Sequence, residues 1–359
     1  MKSWRSITIV LSIVMVLSGC TKHEIGKPNA DKVSPNEGIS TSGDVQTEQS
    51  VSEDHKDKLS EAEAEEVKMN KYNAYIMLNN IITGRLNDVM EHYLKTFSSK
   101  PNIKFNKKHN YWVRSFVDRD ETYIKKAFEL ARQEPAFDPL DTAALNLEPS
   151  MNKLIGYVKE AHDYYDLKMY VDDQFEKGKQ LHNQILSSYD EYEKATEVFI
   201  LALSKMSEQH LKETMEQLKE NDQLLRYSAL QFISDANALT AEMDEQGINA
   251  SNVLDIDMKK FKKMYDSLKS TMESLIQYSS DDTRVRSEGF SPNQLNMFMD
   301  NAKAVKVAAS EIIERINDKN KVPDYKLRAE FALKHEKGTP EKYNAAVIAA
   351  INIYNQGIY

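Results

Sequence analysis

The chain has 359 residues and a formal net charge of −9, from 47 lysines and arginines against 56 aspartates and glutamates. An acidic balance of this kind argues against nucleic acid as a partner, because nucleic-acid-binding surfaces are strongly basic. A single cysteine, Cys20, leaves no pair for an internal disulfide bond. Packing alone must therefore stabilise the fold.

The N-terminus has the pattern of a secretory signal of the lipoprotein type. Two basic residues precede an apolar run at 7–17, and Ser18 and Gly19 lead directly into Cys20. The run is too short to span a membrane as a helix, which takes about 20 residues. We therefore predict a signal peptide at 1–19 and lipid attachment at Cys20. An ordinary cleaved signal with an incidental cysteine is the alternative.

This signal predicts an exported protein whose partner is a membrane, reached through the lipid on Cys20. Acyl chains bind a bilayer by about 0.8 kcal/mol per buried methylene, so two or three chains give a stable anchor. Thr21 follows the cysteine, in place of the aspartate that signals retention in the inner membrane. In a cell with two membranes we therefore expect the outer one.

The segment that follows, residues 20–59, is predicted to be a disordered acidic tether. It contains no aromatic residue, and its prolines and glycines lie among polar and acidic residues. Such a composition cannot bury enough apolar area to offset the entropy of the chain. A flexible coil of about 40 residues has a root-mean-square span of roughly 35 Å.

The remaining residues, 60–359, predict a single all-α domain, an elongated bundle of about six to eight mostly long antiparallel helices. Apolar residues recur three or four positions apart, the spacing of a buried helix face. Three such faces are Tyr72, Ile76, Asn79, Ile82, Leu86, Val89 and Tyr93; Met258, Phe261, Tyr265, Leu268, Met272 and Leu275; and Leu295, Met299, Ala302, Val305, Ala309, Ile312 and Ile316.

Helix ends are predicted from capping residues and from breaks in the apolar pattern. Side chains that accept hydrogen bonds from free helix amides predict caps at Ser60, Asp118, Asp173, Ser291 and Thr339. Residues 179–246 contain neither glycine nor proline. We prefer two helices there, with a turn near 204–210, where the apolar register slips. One helix about 100 Å long is the alternative.

Asparagines recur near both ends of the predicted bundle. Asn79 lies on an apolar face, so its amide must find hydrogen-bond partners. One hypothesis is that these asparagines fix the register between the first and last helices, and the other is that they line a polar ligand pocket. The candidates are Asn73, Asn79, Asn80, Asn344 and Asn355.

A central stretch carries the other candidate polar residues, Tyr165, Asp172, Asp173 and His182. In one interpretation the aspartates cap a helix start, where amides and the helix dipole favour negative charge, and Gly178 allows a close helix contact. In the other, these side chains line a cleft for a cation or a sugar. Carboxylates and imidazole can hold a divalent metal, but helical spacing alone does not bring them together.

The sequence contains no recognised metal, nucleotide or nucleophile motif, so no catalytic residue, metal or cofactor is predicted.

Three segments resemble the YiiG-like family of uncharacterised bacterial lipoproteins. They are the Tyr-Asn-Ala-Tyr-Ile sequence at 72–76, the stretch 164–182, and the Tyr-Asn pairs near the C-terminus. The resemblance implies an exported, lipid-anchored helical protein. It implies no activity and no catalytic residues.

Three classes of function are compatible with these features. The first is a noncatalytic binding or interaction module of the cell envelope, with an envelope protein or another surface component as partner. The alternative is a solute- or metal-binding lipoprotein that serves a transporter, which would need a ligand-sized pocket near Asp172 or Asn79. A lesser alternative is an enzyme acting on the cell wall or a surface polymer, which would need an acid and a base in one cleft.

Overall fold

The computed structural model describes residues 49–106 and 109–357. Every regular element in these ranges is helical, and several long helices pack on one another, which confirms the all-α class and the helical bundle. None of the described helices is both long and apolar enough to cross a membrane. The predicted signal peptide and lipidated Cys20 lie outside the described residues.

The contacts divide the chain into two compact units, and the boundary between Thr196 and Glu197 falls within a helix. We call the described residues up to Thr196 the N-terminal unit and those from Glu197 the C-terminal unit. The prediction of one domain over 60–359 stays a prediction.

In the N-terminal unit the first helix packs on the third helix. The third helix also packs on the fourth. The apolar face predicted from Tyr72 to Tyr93 is buried along its whole length. The elements are α1 (Gln49–Asn80), a π-helical turn (Ile81–Leu86), α2 (Asn87–Phe97), α3 (Asp118–Ala131), α4 (Leu140–Asp166), α5 (Tyr170–Asp173) and the start of α6 (Glu176–Glu220).

The C-terminal unit contains the rest of α6 and a group of four long helices. Helix α7 packs on α8, α10 packs on α13, and α13 also contacts α7. Their facing sides form a core centred on Phe232, Phe261 and Phe298, all fully buried. The elements are α7 (Leu224–Glu245), a 3₁₀ turn (Val253–Asp255), α8 (Met258–Ser279), α9 (Asp282–Ser287), α10 (Pro292–Asn317), α11 (Asp324–Leu327), α12 (Glu330–Leu333) and α13 (Pro340–Gly357).

Residues 179–246 form two helices, but the predicted turn at 204–210 was wrong. The chain is helical there, and the Ser207 hydroxyl donates to the carbonyl of Leu203 at 2.8 Å, as a helical serine can. The break lies between α6 and α7, where Asp222 has a φ of 53°. Aspartate tolerates this left-handed conformation, so the Asn-Asp pair at 221–222 was the signal for the break.

The predicted helix starts were partly wrong. Helix α1 begins at Gln49, inside the predicted tether, and already includes Ser60. The sequence there is rich in Lys, Glu and Ala, which favour helix. Helices α3 and α10 follow Val117 and Ser291 with no side-chain cap. The cap at Thr339 is confirmed, because its hydroxyl accepts from the Lys342 amide at 3.2 Å.

Candidate functional site

The central stretch interrupts the helices, as predicted. Helix α4 ends at Asp166, and α6 begins at Glu176 after the single turn of α5. Gln174 and Phe175 have φ values of 54° and 68°, so two successive left-handed residues redirect the chain into α6. The polar candidates of this stretch therefore lie around a sharp bend.

Gly178 allows a close contact at this bend, as the sequence predicted. A Cβ atom at this position would lie 2.8 Å from the hydroxyl oxygen of Tyr165 and 3.2 Å from Cε1 of Tyr164. Tyr165 is buried, and its hydroxyl has no hydrogen-bond partner among the described residues. Burial raises the pKa of Tyr165 well above its usual value. The Tyr165 hydroxyl is therefore neutral, and it lies against the backbone at Gly178.

Aromatic rings fill the space inside the bend. Phe175 lies between the rings of Phe105 and Tyr170, with centroid distances of 4.6 and 4.8 Å. Tyr165 contacts Phe97 at 4.9 Å. Each such pair contributes roughly 0.5–1.5 kcal/mol beyond the burial of its area. Aromatic rings therefore pack together inside the bend, an arrangement that local spacing did not reveal.

Asp173 caps the start of α6. Its carboxylate accepts from the Tyr164 hydroxyl at 2.7 Å, the Phe175 amide at 3.0 Å and the Lys177 amide at 2.9 Å. Desolvation alone would raise the pKa of Asp173, but these hydrogen bonds outweigh it and lower the pKa. Asp172 lies exposed beside it. The structure therefore supports the capping interpretation for Asp173.

His182 is fully buried and uses both ring nitrogens. Nε2 lies 2.9 Å from the carbonyl oxygen of Lys100, and Nδ1 lies 3.1 Å from the hydroxyl of Tyr93. A carbonyl can only accept, so Nε2 carries the proton and Nδ1 accepts from the tyrosine. Desolvation lowers the pKa of His182, which favours this neutral form. His182 therefore holds the loop that follows α2 against helix α6.

No group of three metal-ligating side chains forms within 49–106 and 109–357. Asp173 and His182 are each engaged in the separate hydrogen bonds given above, and Asp172 faces solvent. The predicted cation cleft therefore has no converging ligand set in the described part of the chain.

The candidate asparagines are divided between the two units. Asn79 is buried, Asn80 is exposed, and the side-chain oxygen of Asn73 is buried with no partner among the described residues. These three belong to α1, which packs on α3.

The two C-terminal asparagines belong to α13, which packs on α10 and α7. Asn344 accepts from the Thr240 hydroxyl of α7 at 3.1 Å. The side-chain oxygen of Asn355 is buried without a partner in the described residues. Asn344 therefore sets register inside the C-terminal unit.

Sequence reasoning missed a buried charged cluster made of Lys71, Tyr75 and Asp141. The Lys71 ammonium, wholly buried, donates to Asp141 Oδ2 at 2.7 Å and to the carbonyls of Gln133 and Pro135 at 2.7 and 3.0 Å. The Tyr75 hydroxyl donates to Asp141 Oδ1. All three ammonium protons have acceptors, so the cluster fastens the segment before α4 to α1. The only local signal was the spacing of Lys71 and Tyr75 on the buried face.

A cavity of about 310 Å³ lies between α6 and α7 in the C-terminal unit. Its apolar lining consists of Leu211, Met215 and Tyr227, and the Lys219 ammonium lies 4.5 Å from the centroid of the Tyr227 ring. None of the polar residues predicted from the sequence lines this cavity.

The fold and these contacts define an all-helical protein whose buried polar groups mainly hold helices and loops together. A family model described as "Protein of unknown function (DUF3829)" matches residues 66–356, and the chain belongs to this family. No curated protein and no solved structure matches the chain.

Proposed function

We propose that the protein is exported, anchored by lipid on Cys20, and serves the cell envelope as a noncatalytic binding or interaction module. The observation that carries this proposal is the sequence at the N-terminus, where an apolar run and the small residues Ser18 and Gly19 precede the sole cysteine. The resemblance to YiiG-like lipoproteins supports the same location.

The bonding of the buried polar groups supports a role through surface contact. Asp173, His182 and Asn344 donate to or accept from other parts of the fold. Lys71 and Asp141 are likewise bonded to each other. Groups whose hydrogen-bonding capacity is already used offer little to a ligand. These engaged groups favour recognition through exposed surfaces, although the buried oxygens of Asn73, Tyr165 and Asn355 have no partner in the described residues.

The alternatives receive less support from the described residues. A solute-binding protein was expected to have a pocket near Asp172 or Asn79, whereas the cavity described above is lined by Leu211, Met215 and Tyr227. An enzyme would need an acid and a base that face one cleft. No described observation favours either alternative over surface recognition.

The anchor is tested by Cys20→Ser in the full chain. We expect the variant to remain folded and to leave the membrane fraction, because no acyl chain can attach. Mass spectrometry of the N-terminal peptide of the native protein should show a diacylglycerol on Cys20. Fractionation by washing membranes in high salt measures the release.

Ser18→Ala is the matched control, because it keeps a small residue next to Gly19 and should still be anchored. Retention of Cys20→Ser in washed membranes, or an unmodified Cys20 in the exported protein, would contradict the proposal.

A further inference from the structure

The segment between α2 and α3, residues 98–117, contains no acidic residue, although the chain as a whole carries a net charge of −9. Lys100, Lys104 and Arg114 are exposed in this segment. Nearby Lys95 forms an ion pair with Glu91 at 2.7 Å, so we do not count it. A positive surface on an acidic protein attracts anions selectively.

Trp112 lies in the same segment with 51% of its surface exposed. Its ring centroid is 4.1 Å from that of His92, and the guanidinium carbon of Arg114 is 5.9 Å from the indole centroid. The only other tryptophan is Trp4, in the predicted signal peptide. A large aromatic ring beside a cation and open to solvent is suited to contact a ligand.

The backbone that carries Trp112 and Arg114 is firmly held. Tyr111 and Val113, on either side of the tryptophan, are buried. The Val113 carbonyl lies 2.6 Å from Nδ1 of His162. Trp112 and Arg114 are exposed on either side of the buried Val113, and the contact between them places both on the same outward face.

Two further contacts fix the ends of the segment. Arg85 donates to the carbonyl of Ser115 at 2.8 Å, and His182 bonds the carbonyl of Lys100. A surface fixed before binding loses less entropy when a ligand arrives.

The ring of His92, which packs on Trp112, is uncharged. Desolvation lowers the pKa of His92, and the charges of Arg114 and Lys95 lower it further. The imidazole is therefore neutral at physiological pH and supports the indole ring without adding charge.

We propose that Trp112 and Arg114, together with the exposed Lys100 and Lys104 of the same segment, bind an anionic polysaccharide of the cell envelope. The guanidinium and ammonium groups pair with its carboxylate or phosphate groups. The electron-rich face of the indole packs on the C–H groups of a sugar ring. This inference rests on the proposed function, for which it names the partner.

The test uses the full chain in detergent solution with Trp4→Phe, which leaves Trp112 as the sole tryptophan. We expect titration with polygalacturonate, a carboxylated polysaccharide, to shift the Trp112 emission in a saturable way, and neutral dextran to leave it unchanged. The dissociation constant should rise with salt, because screening weakens exposed charge pairs. Arg114→Gln should raise it about tenfold.

Arg119→Gln is the matched control, because Arg119 is also exposed but lies between Asp118 and Asp120. It should change the dissociation constant less than twofold. If Arg114→Gln fails to fold by circular dichroism, Lys104→Gln takes its place with an expected loss of about threefold.

Four outcomes would overturn the proposal. They are an unchanged Trp112 emission with polygalacturonate, an equal response to dextran, equal weakening by Arg119→Gln, and a response to anionic phospholipid vesicles but not to the polysaccharide. The last would indicate docking on a bilayer. None of them bears on release by Cys20→Ser, so failure of this inference is distinguishable from failure of the anchor.

Discussion

The charged ammonium group of Lys71 is buried. The fold tolerates this buried charge because every proton of the ammonium group has an acceptor. The partner carboxylate, Asp141, also accepts from the amide of Phe137 at 2.7 Å. Helical periodicity could not predict this pair, since lysine is among the residues least often buried and Asp141 lies on another helix. The asparagine at 79, by contrast, was predicted to be buried because it continues an apolar face.

Replacing Lys71 with methionine should lower the free energy of unfolding by about 3–5 kcal/mol, because the Asp141 carboxylate would remain buried without its cation. Urea denaturation followed by circular dichroism measures the loss. Lys153→Met is the matched control, since the Lys153–Glu191 pair is largely exposed and pairs of that kind contribute at most about 1 kcal/mol. Equal losses in the two variants would show that burial of the Lys71–Asp141 pair does not increase its contribution to the free energy of unfolding.

Helices as elements were well predicted from apolar spacing, whereas their ends were not. The face of α10 is buried from Leu295 to Ile312, and that of α8 from Phe261 to Leu275 except at the half-buried Tyr265, because each helix packs along its length on the core. The end of α6 depends on Asp222, whose carboxylate lies 3.2 Å from the guanidinium of Arg284. That contact joins residues remote in sequence, so the apolar spacing along one helix could not reveal it, although the Asn-Asp pair at 221–222 marked the break. The same limitation hid the ring of Phe175 inside the bend.

Asp244 lies in the last turn of α7, where the helix dipole already disfavours negative charge. Burial raises the pKa of Asp244 from 3.8 to about 6. A carboxyl whose pKa is higher in the folded state destabilises the fold once it ionises, and this penalty develops between about pH 4 and pH 6. Asp244→Asn should therefore raise the free energy of unfolding at pH 7.5 by on the order of 1 kcal/mol, with no gain below pH 4.

Parallel urea titrations at pH 7.5 and pH 4 measure this gain. Glu245→Gln is the control, because Glu245 lies in the same turn but is exposed, and its gain should be smaller. A gain for Asp244→Asn that is the same at both pH values would rule out ionisation as its source.

For the molecule as a whole, the sequence predicts one domain over 60–359, while the contacts group the chain into two compact units. Helix α6 contributes buried side chains on both sides of the boundary, with Ile185 in the N-terminal unit and Phe199 in the C-terminal unit. We therefore expect the two units to unfold cooperatively. The division itself could not be predicted from sequence, because nothing in the helical pattern changes near Thr196.

Hydrogen exchange of Leu239→Ala tests this cooperativity. Loss of this fully buried side chain of α7 should cost about 2–5 kcal/mol and accelerate amide exchange in the helices of both units. Leu201→Ala, at a position 52% exposed, should leave exchange nearly unchanged. Acceleration confined to residues 197–357 would show that the body comprises two domains.

The π-helical turn Ile81–Leu86 has a consequence for changes in chain length. A π turn pairs residues five apart where an α turn pairs residues four apart, so it accommodates surplus backbone inside an otherwise regular helix. Deleting one residue there would let α-helical pairing take over while Ile76 and Val89 continue to face the core. The same deletion in the middle of α4 or α10 would rotate every later side chain by about 100°. Relatives of different length are therefore expected to gain or lose residues at this turn.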